Sequence, residues 1–173
     1  MLEIIGVSIT SIAIATVTIV IVWRMTKAER ERRTFDLKRE NVKVMTPVRL
    51  RAYERMAIFV ERIAPDSLVM RQRFGERTTS SQLQRTLLDQ IRQEWEHNAA
   101  QQIYISEETW AQLVNAKESI VELVNSCAMQ LDPKTVSVGL ANLVLNTYNE
   151  EKSKQDTPIQ MALAAIKKDV SAF

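Results

Sequence analysis

The sequence predicts an all-α protein: an N-terminal transmembrane helix, a charged helical stalk, and a cytoplasmic helical bundle containing a long antiparallel hairpin. Three observations carry this expectation. Twenty consecutive residues near the N-terminus bear no charge. The composition is rich in Ala, Leu, Glu, Gln and Arg, with only three glycines. Helix-start signals recur along the chain, whereas strand alternation of useful length is lacking.

The uncharged run is Ile4 to Trp23, between Glu3 and Arg24. Twenty residues rising ~1.5 Å each match the ~30 Å hydrocarbon core of a bilayer. A cleavable signal peptide is a poor fit, because the chain opens Met1-Leu2-Glu3 and reads Trp23-Arg24-Met25 where cleavage would fall. A buried strand is tempting, since fourteen of the twenty residues are Ile, Val or Thr, yet the run is far too long for one. The preceding flank holds only Glu3; the following one holds Arg24, Lys27, Arg30, Arg32 and Arg33, a membrane-surface cluster. The positive-inside rule therefore leaves residues 1–3 as an extracytoplasmic stub and puts the C-terminal domain in the cytoplasm. Ser8, Ser11, Ala15 and Thr18 share one helical face. Small residues there allow close packing, for self-association or against another membrane protein's helix.

The net charge of +2 hides an asymmetry. Residues 24–77 carry fifteen Lys/Arg against eight Asp/Glu, and residues 78–173 carry eight against twelve. The basic half adjoins the expected bilayer, where anionic headgroups attract it by about 1 kcal/mol per basic residue near the surface. Interleaved acids (Glu29, Glu31, Asp36, Glu40) also suit a merely solvated stalk over 24–45.

The bundle, 46–173, should begin with Thr46-Pro47 as N-cap and first helical residue, and that helix should run to Ala64 before Pro65. Its apolar face is Tyr53, Met56, Ala57, Val60, Ile63 and Ala64. Asp66 caps a short helix over Ser67–Phe74, ended by Gly75. Thr78 to Ser81 offer N-caps for a long helix to about Tyr104. Ser106 caps the next, to about Leu131, with Glu107 and Glu108 complementing its dipole. Asp132-Pro133 and Thr157-Pro158 open the last two helices, to about Lys152 and Ala172.

The helices on either side of Ile105 should form an antiparallel hairpin. At 100° per residue, the first centres its apolar stripe on Leu83, Leu87, Ile91, Trp95, Asn98 and Gln102, with Glu94 on the flank. The second centres on Trp110, Val114, Val121, Val124, Ala128 and Leu131, with Lys117 in the middle. Glu94 and Lys117 lie eleven residues before and twelve after Ile105. They are therefore expected to form a partly buried ion pair, since an unpaired buried charge costs several kcal/mol, on the order of 3–5.

Little points to catalysis. Glu94-Trp95-Glu96-His97 contains one E-x-x-H, the spacing of di-iron carboxylate bundles, but those need a second copy and His97 is the only histidine. An enzyme or metal site at Glu94 and His97 is thus a minor alternative. Cys127 lies on an apolar side and reads as a small core residue. There is no Gly-rich phosphate loop. Arg49, Arg51, Arg55, Arg62, Arg71, Arg73 and Arg77 offer a secondary reading as a membrane-tethered nucleic-acid-binding or regulatory domain using region 49–77, although Glu54, Glu61 and Glu76 share the stretch and no DNA-reading motif accompanies them.

Two stretches resemble a known family. One is Arg49-Leu50-Arg51-Ala52-Tyr53-Glu54-Arg55-Met56, continuing to Phe59-Val60-Glu61-Arg62-Ile63-Ala64-Pro65. The other is Glu94-Trp95-Glu96-His97-Asn98 with Gln101-Gln102-Ile103-Tyr104-Ile105-Ser106 and Trp110. Together they are similar to signatures of a family of small single-pass membrane-anchored helical proteins from Bacteroidetes, a domain of unknown function, over roughly residues 1–131. That resemblance implies a bacterial inner-membrane location and makes the hairpin turn the characteristic surface. The expected role is a non-catalytic adaptor or accessory subunit of an inner-membrane complex. Its interaction surface is expected at Gln101, Tyr104, Ile105 and Trp110. The expected partners are the bilayer and other membrane proteins or a second copy, with no cofactor, metal or small-molecule substrate.

Overall fold

The computed structural model describes residues 2–72 and 77–172. Along the first helix it describes the side chains of Ile19, Val22–Lys27, Glu29, Arg30, Arg32, Arg33 and Glu40, and of every residue from Lys43 to Gln72. The described residues are almost wholly helical: α1 (Leu2–Ile63), α2 (Pro65–Met70), α3 (Ser80–Asn98), a 3-10 turn (Ala99–Tyr104), α4 (Glu107–Met129), α5 (Ser137–Lys154) and α6 (Pro158–Val170). The chain divides into two compact units, Met1–Thr46 and Pro47–Phe173.

In the first unit the apolar run belongs to α1, and most of its side chains, including those of Ser8, Ser11, Ala15 and Thr18, lie outside the described residues. Among the described residues no helix is long and apolar enough to cross a membrane. The expected break at Thr46-Pro47 is corrected: Pro47 lies inside a continuous helix. An interior proline withholds one backbone hydrogen bond and crowds the carbonyl four residues earlier, at a cost of ~3 kcal/mol.

In the second unit, α4 packs against α3, α5 and α6, while α2 and α3 pack on α5. The α1 segment contributes Ala52, Tyr53, Met56, Phe59, Val60 and Ile63, all buried. Their spacing of one, three and four residues makes a single helical face. Phe59, absent from the predicted face, is fully buried and meets Trp95 at 5.5 Å between ring centroids.

Local chemistry accounts for the other boundaries. Pro65 opens α2 at its first position rather than merely ending α1, and the expected Ser67–Phe74 helix closes at Met70. Thr79 caps α3 through a capping box, its hydroxyl accepting from Gln82 N while the Gln82 amide oxygen accepts from Thr79 N. Here α3 stops at Asn98 instead of reaching Tyr104. Asn98 Nδ2 donates to Glu94 O at 2.8 Å, and after its backbone at φ −108°, ψ −7° the chain continues as a tighter 3-10 turn. Gln102, once off the α-helical phase, is exposed.

Pro133 does not start α5. Asp132 instead builds a turn, its Oδ1 accepting from Lys134 N at 2.8 Å and its carbonyl from Thr135 N at 2.9 Å. The carbonyls of Pro133 and Thr135 then accept from Ser81 N and Ser80 N, satisfying donors that the start of α3 leaves open. Thr79 and Val136 form an isolated antiparallel bridge, and α5 begins only at Ser137. Thr157-Pro158 opens α6 as its sequence implies, with a second capping box to Gln160.

The buried line of α4 is Thr109, Leu113, Ala116, Ile120, Leu123, Val124 and Cys127. That is the predicted stripe turned by one residue. Packing against three helices at once moves the deepest line away from the α3 seam, and Trp110, Lys117, Val121 and Ala128 become its flank.

Candidate functional site

The antiparallel hairpin of α3 and α4 has close to the expected register. Gln84 Nε2 donates to Asn125 Oδ1 at 2.9 Å, and the Lys117 ammonium lies 4.9 Å from the Trp95 ring centroid. The ion pair expected across it is nevertheless absent. Glu94 turns to the opposite side of α3, where Arg62 Nη1 donates to both carboxylate oxygens at 3.0 and 3.2 Å. Arg71 Nη1 stands 3.6 Å from Glu94 Oε1. Lys117 pairs with its neighbour Glu118 at 2.7 Å and covers the Trp95 face. One helical step of 100° separates Glu94 from Trp95, which is enough to exchange their partners.

Trp95 is the hub of an aromatic cluster. Its ring lies 4.8 Å from Trp110 and 5.5 Å from Phe59, both tilted. Such pairs contribute about 0.5–1.5 kcal/mol beyond the area they bury. The expected interaction surface is thereby largely consumed by packing. Ile105 is buried, Trp110 is drawn against Trp95, and the Tyr104 carbonyl accepts from Arg49 Nε at 3.2 Å. Gln101 is half-buried, while Ile103, which the sequence reading passed over, is 78 % exposed. The 3-10 winding turns this residue outward.

Glu94 borders an open polar groove of about 410 Å³, lined by Arg62, Arg71, Gln90, Gln93, Glu94 and His97. The last turn of α1 presents Arg62, the end of α2 presents Arg71, and one face of α3 presents the other four. Arg71 is held by its own backbone bonds, Nε to Ser67 O at 3.2 Å and Nη2 to Arg62 O at 2.5 Å. Gln72 Nε2 donates to Gln90 Oε1 at 2.6 Å and fixes that amide. His97 is exposed beside Glu94, in keeping with its place off the apolar stripe. Local periodicity gives no sign of this groove, because its arginines arrive from other helices.

A second polar cluster lies where α1, α4 and α6 meet. Asp169 Oδ2 accepts from Tyr53 Oη at 2.9 Å, from Thr109 Oγ1 at 2.7 Å and from Ser106 Oγ. Ser106 N donates to Tyr53 Oη at 3.1 Å, and Ser106 Oγ caps α4 by accepting from Thr109 N. Burial pushes the Asp169 carboxyl up, but the Ser106, Thr109 and Tyr53 hydroxyls, with Lys168 beside them, outweigh it and hold it below the usual aspartate value. A carboxylate also suits the positive end of the α4 dipole. Sequence reading assigned Asp169 no role. The available signal was Tyr53 on a core face, since a buried tyrosine hydroxyl needs a partner.

An apolar groove of about 490 Å³ lies between α1 and α6, with Leu50, Tyr53, Ala57, Ile166 and Val170 in its lining. Cys127 is buried, and burial raises its thiol above the ordinary value against weaker opposing bonds from Thr147 and Ser126. In the first unit Arg24, Lys27, Arg30, Arg32 and Arg33 are all exposed on α1; Arg33 pairs with Glu29 at 2.6 Å and Lys27 lies 5.6 Å from the Trp23 ring centroid. Of the Arg-rich stretch, Arg62 and Arg71 are committed to Glu94, Arg51, Arg55 and Arg77 are exposed, and Arg73 lies outside the described residues.

The chain belongs to a family of unknown function, DUF7935, whose profile matches residues 1–173. The match thus extends across α5 and α6, beyond the first 131 residues that carry the resemblance in sequence. No curated protein and no solved structure matches the chain.

Proposed function

We propose that this member of a family without an assigned role is a membrane-anchored, non-catalytic adaptor or accessory subunit with its helical bundle in the cytoplasm. The observation that carries the reading is the uncharged run Ile4–Trp23 followed at once by Arg24, Lys27, Arg30, Arg32 and Arg33. Ile19, Val22, Trp23 and Met25 support it, each more than half exposed on α1, a surface that lipid covers at no cost in desolvation. The second unit carries its own buried core, so the anchor and the bundle divide the labour between placement and binding. The cytoplasmic side of the bundle follows from the charge rule, and the inner membrane is what the resemblance to membrane-anchored bacterial proteins implies.

Affinity purification of the full chain from native membranes in mild detergent, followed by mass spectrometry, tests the proposal. Membrane-fraction recovery with stoichiometric membrane-protein partners is expected. Recovery from the soluble fraction, or alone at monomer size, refutes it. A nucleic-acid role is the alternative, although Glu54, Glu61 and Glu76 share the Arg-rich stretch and no DNA-reading motif accompanies it. It predicts DNA binding that falls steeply with salt.

A further inference from the structure

We propose that the groove between the end of α1, α2 and α3 is a phosphate-monoester site, in which Glu94 occupies the ligand's place when the site is empty. The proposal goes beyond the adaptor reading and does not depend on it.

Glu94 is a carboxylate held between two guanidinium groups that reach it from different helices, Arg62 at 3.0 Å and Arg71 at 3.6 Å. Arginine pairs of this kind recognise carboxylate and phosphate oxygens through charge-assisted, directional bonds. Among the described residues that line it, the two arginines against one glutamate give a net charge of +1. Its donors also exceed what Glu94 takes. Arg62 engages Glu94 through Nη1, and among the described residues its Nε and Nη2 have no partner. The Gln93 amide and the His97 ring likewise have none among the described residues. Arg71 cannot swing away, because its other nitrogens cap Ser67 O and Arg62 O. One cationic edge is therefore preorganised and the other is available.

A phosphate monoester suits this set better than a second carboxylate. It brings three terminal oxygens and up to two negative charges, so it can bridge both arginines, accept from Gln93 and His97, and displace Glu94. The volume of about 410 Å³ fits a small ligand, while the polar lining and open mouth disfavour an apolar one. The phosphate can belong to a soluble metabolite or to a lipid headgroup.

The test is calorimetric titration of the full chain in a non-ionic detergent at fixed ionic strength. The probes are inorganic phosphate, glycerol 3-phosphate, and dihexanoyl phosphatidic acid below its micellar concentration, with dihexanoyl phosphatidylcholine as the uncharged control. Saturable binding of at least one phosphate monoester is expected. Arg62→Gln should weaken it at least tenfold. Gln93→Glu, an exposed position where folding is not at stake, should do the same by placing a second anion in the groove. Glu94→Gln should tighten binding about fivefold, because it removes the competing charge. Arg51→Gln and Arg55→Gln, exposed on α1 outside the groove, should change nothing. Binding of glycerol 3-phosphate assigns the site to soluble phosphates; binding of phosphatidic acid alone assigns it to a headgroup. Absence of saturable binding in both the wild type and Glu94→Gln overturns the proposal. So does an unchanged affinity in Glu94→Gln, or an equal loss in Arg51→Gln, which would mean diffuse electrostatics rather than a site.

Discussion

Replacing Asp169 tests how the second unit closes its C-terminal helix. The carboxylate accepts from Tyr53, Ser106 and Thr109, so it joins α1, α4 and α6 through one oxygen. Tyr53 and Thr109 are each 1 % exposed, so water does not replace the acceptor they lose. Withdrawing a charged acceptor from a buried donor costs about 1–3 kcal/mol. Because the donors share one network, Asp169→Ala should cost about 2–4 kcal/mol, and Asp169→Asn, which keeps a neutral carbonyl in place, about 1–2 kcal/mol. For a domain of this size each kcal/mol lowers Tm by about 3–5 °C. The pH dependence follows from the depressed carboxyl. A group whose folded value lies below its unfolded one stabilises the fold above the unfolded value, about 3.9 for aspartate, and that stability is lost as pH falls through the folded value. Urea denaturation followed by tryptophan emission, with Trp95 and Trp110 in the bundle, should show the full gap between wild type and Asp169→Asn at pH 7. The gap should close below about pH 4. A difference under about 0.5 kcal/mol at pH 7, within the range of neutral surface substitutions, refutes the reasoning, as does a gap that stays constant down to pH 3.

Double-mutant cycles should separate the observed pair from the expected one: Glu94 and Arg62 should couple by about 0.5–1 kcal/mol, Glu94 and Lys117 by nothing measurable. Phe59→Ala should destabilise the second unit by about 3–5 kcal/mol, measured as a lowered urea midpoint at unchanged slope, since the ring is fully buried against Trp95. Thr157→Ala should cost about 1 kcal/mol and speed amide exchange in the first turn of α6, by removing its capping box. Pro47→Ala should raise helicity and slow amide exchange across Val44–Arg51, because the proline is interior; faster exchange would refute that reasoning.

The single-residue signals read well where the chemistry is local. Ser106 caps α4, Thr157-Pro158 opens α6 and Thr79 closes a capping box, because each needs only neighbours three residues away. Asp132-Pro133 carries the same letters and fails, because the Asp132 side chain finds Lys134 N and the neighbouring carbonyls are claimed by α3. The α3–α4 register was also legible, since a short connection sets it. The rotation of α4 was not: a stripe drawn from hydropathy assumes one neighbour, and α4 has three. That one-residue turn moves Trp110 and Lys117 to the flank of α4, while the Glu94–Lys117 pair is lost because Glu94, one helical step from Trp95, faces Arg62.

By itself, then, the sequence determined an all-helical chain, the helix starts at Thr79, Ser106 and Thr157, and the antiparallel hairpin, all of which follow from periodicity and capping within a few residues. Only the tertiary structure decided that Arg62 and Arg71 meet Glu94, and that Tyr53, Ser106 and Thr109 converge on Asp169. Those partners lie tens of residues apart. Which of several polar groups meets which depends on the rotation of each helix about its axis, and that rotation is set by packing against every neighbour at once.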